Sequence, residues 1–148
     1  ARMEPMPMDT ERQVAEHYGR TDLEQKILAA LAAAGKDIDR LTPADLSAGD
    51  EFHLGWRAAT VALAGDLGLK PGMRVLDIGS GLGGPARYCA EAHGCTVVGV
   101  DITESYVDVA NSLTARCGLT DRVSFELASA LSLRFDAAAF DAATMIHV

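Results

Sequence analysis

The chain has 148 residues, 49% of them hydrophobic, and a formal net charge of −8. That much apolar material builds one domain with a buried core and excludes a disordered chain. The acidic balance excludes nucleic acid as a main partner, because phosphate binding needs clustered Lys and Arg.

Residues Ala1 to Asp9 are rich in Met and Pro and read as a tail. Thr10-x-x-Gln13 is a capping box for a short helix that runs to Tyr18 and stops at Gly19. Tyr18 there either covers a ligand as part of a lid or anchors the helix end. Thr21-x-x-Glu24 opens a second helix with Leu23, Ile27, Leu28 and Leu31 on one face, closed by Gly35. Thr42-Pro43 starts another, with Pro at its first position. A further helix covers about Leu54 to Leu67 and stops at Gly68. At its entry, His53 and Trp56 either pack the helical part on the sheet or wall a pocket.

After the Pro71-Gly72 turn the pattern alternates. Strands are expected at Arg74–Ile78, Thr96–Val100, Val123–Leu127 and about Asp141–Val148. Helices are expected at about Gly84–His93 and Ser105–Cys117. This divides the chain into a tail and lid helix (1–20), a helical extension (21–70) and an α/β part (71–148). The α/β part implies a parallel, Rossmann-like sheet with right-handed crossovers.

The chemistry lies at the first strand's end. Val75-Leu76-Asp77-Ile78 runs into Gly79-Ser80-Gly81-Leu82-Gly83-Gly84, and a helix opens behind it. Glycines there let the backbone approach a ligand, and the helix N-terminus offers N–H groups to an anion. Gly79, Gly81 and Gly84 satisfy the dinucleotide pattern G-x-G-x-x-G, so a nicotinamide-dependent dehydrogenase is one reading. Asp77 argues against it, since a carboxylate would repel a pyrophosphate on that turn. A ligand with positive charge beside a carboxylate suits it better, and S-adenosylmethionine is one. The second strand ends in Asp101, roughly 20 residues past the turn, where an acid accepts hydrogen bonds from ribose hydroxyls. Strand, glycine turn, helix, strand and acid together call for an adenosine-containing ligand.

Other chemistries find no support. The sequence has no H-x-x-x-H and no paired cysteines for a metal, and Ser80 lacks the spacing of a G-x-S-x-G nucleophile. Cys89, Cys95 and Cys117 are odd in number and read as free thiols in a reducing cytosol, hence a cytoplasmic protein. No apolar run spans a bilayer and no signal-peptide pattern opens the chain.

Val75–Gly84, Val97–Thr103 and Phe140–Val148 resemble the successive motifs of class I S-adenosylmethionine-dependent methyltransferases. Val14–Tyr18 and Asp50–Leu54 are similar to the helical extension of the small-molecule members, such as those acting on sarcosine, dimethylglycine, quinones or tocopherols. The resemblance implies that Asp77, Gly79, Ser80, Gly81 and Gly83 hold the methionine part of the cofactor. It implies that Asp101 takes the ribose, that Ile102 packs on the adenine, and that Ser129 and Ala130 meet the adenine's polar edge. There the family usually shows Gly-Asp-Ala, and this chain has Ala128-Ser129-Ala130, a weaker acceptor. It also has Leu133-Arg134-Phe135 for the family's Leu-Pro-Phe. His147, at the end of the fourth strand, is either a general base near the methyl group or a histidine bonded to backbone.

The family's sheet has seven strands, and this sequence supplies four. The expectation is an incomplete domain whose second sheet face and last strand are bare, and which self-associates as a homodimer or higher oligomer. Three functions are weighed: methyl transfer to a small molecule, a non-catalytic cofactor-binding or self-associating fragment, and the dehydrogenase.

Overall fold

The computed structural model describes residues 22–49, 56–133, 135, 136 and 138–145. The short helix to Tyr18, His53, Arg134 and His147 lie outside these residues, as does the side chain of Trp56. Helix α1 covers 22–33, followed by α2 (Pro43–Gly49) and α3 (Trp56–Leu67). Then come β1 (Arg74–Ile78), α4 (Gly84–His93), β2 (Thr96–Asp101), α5 (Glu104–Arg116), β3 (Val123–Leu127) and β4 (Ala142–Thr144). The Thr42 start is a reciprocal box: the Asp45 N–H donates to Thr42 Oγ1, and the Thr42 N–H donates to Asp45 Oδ2, each at 3.1 Å.

The four strands are parallel in the order β3-β2-β1-β4. Asp77 lies opposite Gly99 on one side and Thr144 on the other. Among the described residues the fourth strand covers Ala142–Thr144; the rest of its expected span, 146–148, lies outside them.

Alternation along the strands sends Val75, Val97, Val123 and Phe125 to one face. There they pack with Ala86, Cys89 and Ala90 of α4 and Val107 and Ala110 of α5. Ala64 of α3 and Leu69 join this core. The other side of α5, through Val109 and Leu113, packs with Leu31, Leu41 and Leu46. Ser112 on α5 also donates a hydrogen bond to Glu24 on α1. The helical extension is thus docked on the α/β part through α5.

The second face of the sheet, expected to be bare, is partly exposed at Ile78 and Val98. Leu76 and Val100 point there but are only 7% and 1% exposed. Towards β3 the same face presents Ser124 and Glu126, which are polar and tolerate water. The β3 edge is protected as well. The Asn111 side chain accepts from the Phe125 N–H and donates to the Phe125 carbonyl, both at 3.1 Å, and so occupies the place of a neighbouring strand.

Candidate functional site at the glycine turn

The turn after β1 folds back onto the end of β2. The Val100 carbonyl accepts from the N–H groups of Gly79 and Ser80, at 2.9 and 3.0 Å. Gly79, Gly81 and Gly83 hold φ of 69°, 54° and 88°, a region that residues with a Cβ rarely adopt. Asp101 ties two turns together. Its Oδ2 accepts from the Gly81 N–H and its Oδ1 from the Thr103 N–H, both at 2.9 Å. The Gly83 N–H donates to the Ser80 carbonyl at 3.0 Å. The backbone donors expected to meet a ligand carboxylate are therefore largely engaged within the chain. The opening N–H groups of α4, at Gly84 and Ala86, are those that an α-helix leaves without a partner of its own.

Asp77 is 3% exposed. Thr144 Oγ1 donates to its Oδ1 at 2.8 Å, while its Oδ2 is buried with no partner among the described residues. Burial pushes its pKa up to about 6; the Thr144 hydroxyl pulls the other way, and the negative charge of Asp101 adds to the rise. Two carboxylates that feel each other, at the tips of adjacent strands, make a site of negative potential. Such a site favours a cationic group and disfavours a pyrophosphate. The Ser80 hydroxyl is a second buried polar atom there without a partner among the described residues.

The glycines divide by role. A Cβ on Gly81 would meet nothing within 4 Å, so this position borders open space. A Cβ on Gly83 would lie 2.4 Å from the Phe125 ring, and one on Gly99 2.4 Å from the same ring. Packing within the chain therefore accounts for Gly83, which the sequence reading gave to the cofactor. Ile102 is 73% exposed at the tip of β2, and Leu131 is 97% exposed in the loop after β3. The Ala128 N–H donates to the Asp101 carbonyl at 3.0 Å, which carries the β2–β3 ladder one residue further and sets Ser129 beside the site. Ser129 Oγ accepts from the Leu131 N–H at 3.2 Å, leaving one lone pair and its own proton for another partner. Ala130 is exposed.

The structure thus gathers Asp77, Gly79, Ser80, Gly81, Asp101 and Ile102 at the strand ends, with Ser129 and Ala130 at the rim. Sequence reasoning missed Thr144, whose role depends on a strand register across 67 residues. Among the described residues no group of His, Cys, Asp and Glu could hold a metal ion.

A parallel sheet with a glycine turn after its first strand and an acid at the tip of the next defines a Rossmann-like fold of the nucleotide-cofactor class. A family model described as a methyltransferase domain matches residues 75–148, and the chain belongs to that family. It is 44% identical over 82 residues to 27-O-demethylrifamycin SV methyltransferase of Amycolatopsis mediterranei, covering 55% of this chain and 30% of that protein. It is 39% identical over 85 residues to a sterol 24-C-methyltransferase of Gibberella zeae, covering 57% and 22%. The chain therefore spans between a fifth and a third of the length of these relatives. Among solved structures, geranyl diphosphate C-methyltransferase of Streptomyces coelicolor, in complex with Mg2+, geranyl diphosphate and S-adenosyl-L-homocysteine, superposes with a TM-score of 0.58. It is 26% identical, over 60% of this chain and 34% of that one. The [4+2]-cyclase SpnF superposes with the same TM-score of 0.58 at 28% identity, over 82% of this chain and 44% of that one.

Proposed function

We propose that the strand ends bind S-adenosylmethionine and that the protein this chain represents transfers its methyl group to a small molecule. The observation that carries the reading is the buried Asp77 carboxylate, with one oxygen unpartnered and the charge of Asp101 close by. The fit is chemical: a cationic amino-acid group answers Asp77, ribose hydroxyls answer the remaining lone pairs of Asp101, and a flat base answers exposed Ile102. Ser129 would accept at the base's edge. When bound, the cofactor supplies an electrophilic methyl group, and the residues around it supply binding and orientation, which carry much of the rate in such transfers. His147 is the general base in this proposal, tested by loss of turnover in His147→Ala. The relatives named above act on chemically diverse molecules, which supports a small-molecule acceptor without choosing one. Self-association through the β4 edge belongs to the same proposal, and light scattering reads it directly.

A second reading has its own support. The cyclase aligns with more of this chain than the geranyl diphosphate enzyme does. The same architecture thus serves a reaction other than methyl transfer, and fold alone does not fix the chemistry. A chain that binds the cofactor but shows no turnover with amine, phenol or alkene acceptors favours this alternative.

Calorimetry with S-adenosylmethionine, S-adenosylhomocysteine and NAD tests the cofactor. The first two are expected to bind and the third not. Asp101→Ala should weaken binding ~10-fold or more, the loss expected for a charged hydrogen-bond acceptor. Binding of NAD alone would overturn the proposal and return the dehydrogenase reading.

A further inference from the structure

Arg87, on the first turns of α4, is 2% exposed, although arginine is among the residues least often buried. Its Nη2 donates to the Leu82 carbonyl at 2.7 Å. Its Nη1 donates to Thr114 Oγ1 at 3.2 Å and to the Ala110 carbonyl at 3.3 Å. Thr114 is itself fully buried, and its hydroxyl donates to the Ala110 carbonyl at 2.7 Å. A planar, rigid fork therefore reaches from α4 to α5 with one arm and to the middle of the glycine turn with the other. Leu82 is held a second time, because it packs on the cluster that Leu31, Leu41 and Leu46 of the helical extension form with Val109 and Leu113 of α5. Room for the fork comes from Gly83: a Cβ there would lie 2.8 Å from Arg87 Nη1.

We propose that Arg87 is a positioning residue for the cofactor turn, fixing Gly81-Leu82-Gly83 from the inside while the helical extension holds Leu82 from the outside. The assignment rests on the cofactor reading above for its functional consequence, and on the hydrogen bonds alone for its structural one. A filler of the core would need only volume, which methionine supplies. What methionine lacks is the pair of directed donors that ties the Leu82 carbonyl to α5. The extension and the cofactor turn thus share one apolar cluster, which Leu82 joins from the turn's side.

The test uses Arg87→Met, Arg87→Ala and Thr114→Val in the full chain, with two readouts. Calorimetry with S-adenosylhomocysteine should show Arg87→Met about tenfold or more weaker, with near-UV circular dichroism unchanged. Amide hydrogen exchange should accelerate in residues 79–84 and not in β3. Millimolar guanidinium should restore both readouts in Arg87→Ala, and methylammonium should not. Unchanged exchange at 79–84 in folded Arg87→Met overturns the proposal. If both Arg87 variants fail to fold, Thr114→Val removes one acceptor while keeping shape, and unchanged exchange at 79–84 there overturns it equally. If the unaltered chain binds no S-adenosylhomocysteine, the cofactor reading fails, and exchange still decides whether Arg87 positions the turn.

Discussion

Asp77→Asn should make the ligand-free protein more stable at neutral pH while weakening its site. Burial moves the carboxyl from 3.8 to about 6, so holding it ionised at neutral pH costs about 3 kcal/mol relative to a carboxyl left at its ordinary value. The sign follows from proton uptake. Between 3.8 and about 6 the folded chain binds more protons at Asp77 than the unfolded chain does. Stability from this group is therefore complete below 3.8 and is lost as pH rises through about 6. Asparagine keeps an acceptor for the Thr144 hydroxyl but puts an amide N–H2 where Oδ2 lies buried without a partner, which costs ~1–3 kcal/mol. The net is a gain of ~1 kcal/mol at pH 7.5, or ~3 °C in Tm for a chain of this size. Thermal melts of both proteins from pH 4 to 8 check it. The difference should favour the variant at pH 7.5, shrink through pH 6 and vanish or reverse near pH 4. Binding of S-adenosylhomocysteine should weaken ~10-fold, since a charged partner of the ligand has become neutral. A variant less stable than the parent by the same amount at every pH would refute the reasoning, because Asp77 would then be acting only as a packed hydrogen-bond acceptor.

Two glycines of the turn, one packed and one open, should separate stability from binding. Gly83→Ala faces both a φ of 88° and a clash with Phe125 and should lose ~2–5 kcal/mol in denaturant melts. Gly81→Ala, with a φ of 54° and no neighbour within 4 Å, should lose only ~1–2 kcal/mol but weaken cofactor binding measured by calorimetry. Asn111→Leu leaves the Phe125 N–H and C=O unpaired at the β3 edge; it should cost ~1–3 kcal/mol and raise self-association seen by light scattering. Burial pushes the Cys89 thiol up to about 12, and Cys95 is also buried, so a maleimide should label half-buried Cys117 first in the native protein.

The sheet was legible because its first three strands are short segments with apolar residues on one face or both, β-branched throughout much of β2, and bounded by turn residues. Asp77 and Asp101 were legible as a pair because the βαβ unit fixes their separation. What the sequence hid depends on register and on the third dimension. Thr144 touches Asp77 only because β4 pairs with β1 in one particular alignment. Asn111 and Arg87 are polar residues on helices, and neither belongs to a sequence motif that would single it out. Nothing local says that one caps an edge strand and the other is buried. Gly83 carries a packing constraint that the sequence hid for a related reason. A glycine-rich turn advertises close approach, but whether the visitor is a ligand or the chain's own Phe125 depends on β3, some forty residues on in the sequence.

These contacts point to a site built on opposed demands. The turn is fastened from within by Gly83 under Phe125 and by Asp101 drawing in Gly81. The Asp77 carboxylate beside it raises the energy of the ligand-free state, because its one hydrogen-bond donor among the described residues is the Thr144 hydroxyl and the charge near it, Asp101, is negative. A rigid frame carrying an uncompensated negative charge gains most from a cation that fits it, since the ligand relieves a cost already present. That relief is differential binding in its simplest form. It predicts that the pH dependence of stability arising from Asp77 disappears when the protein is saturated with a cationic cofactor, and persists when it is not.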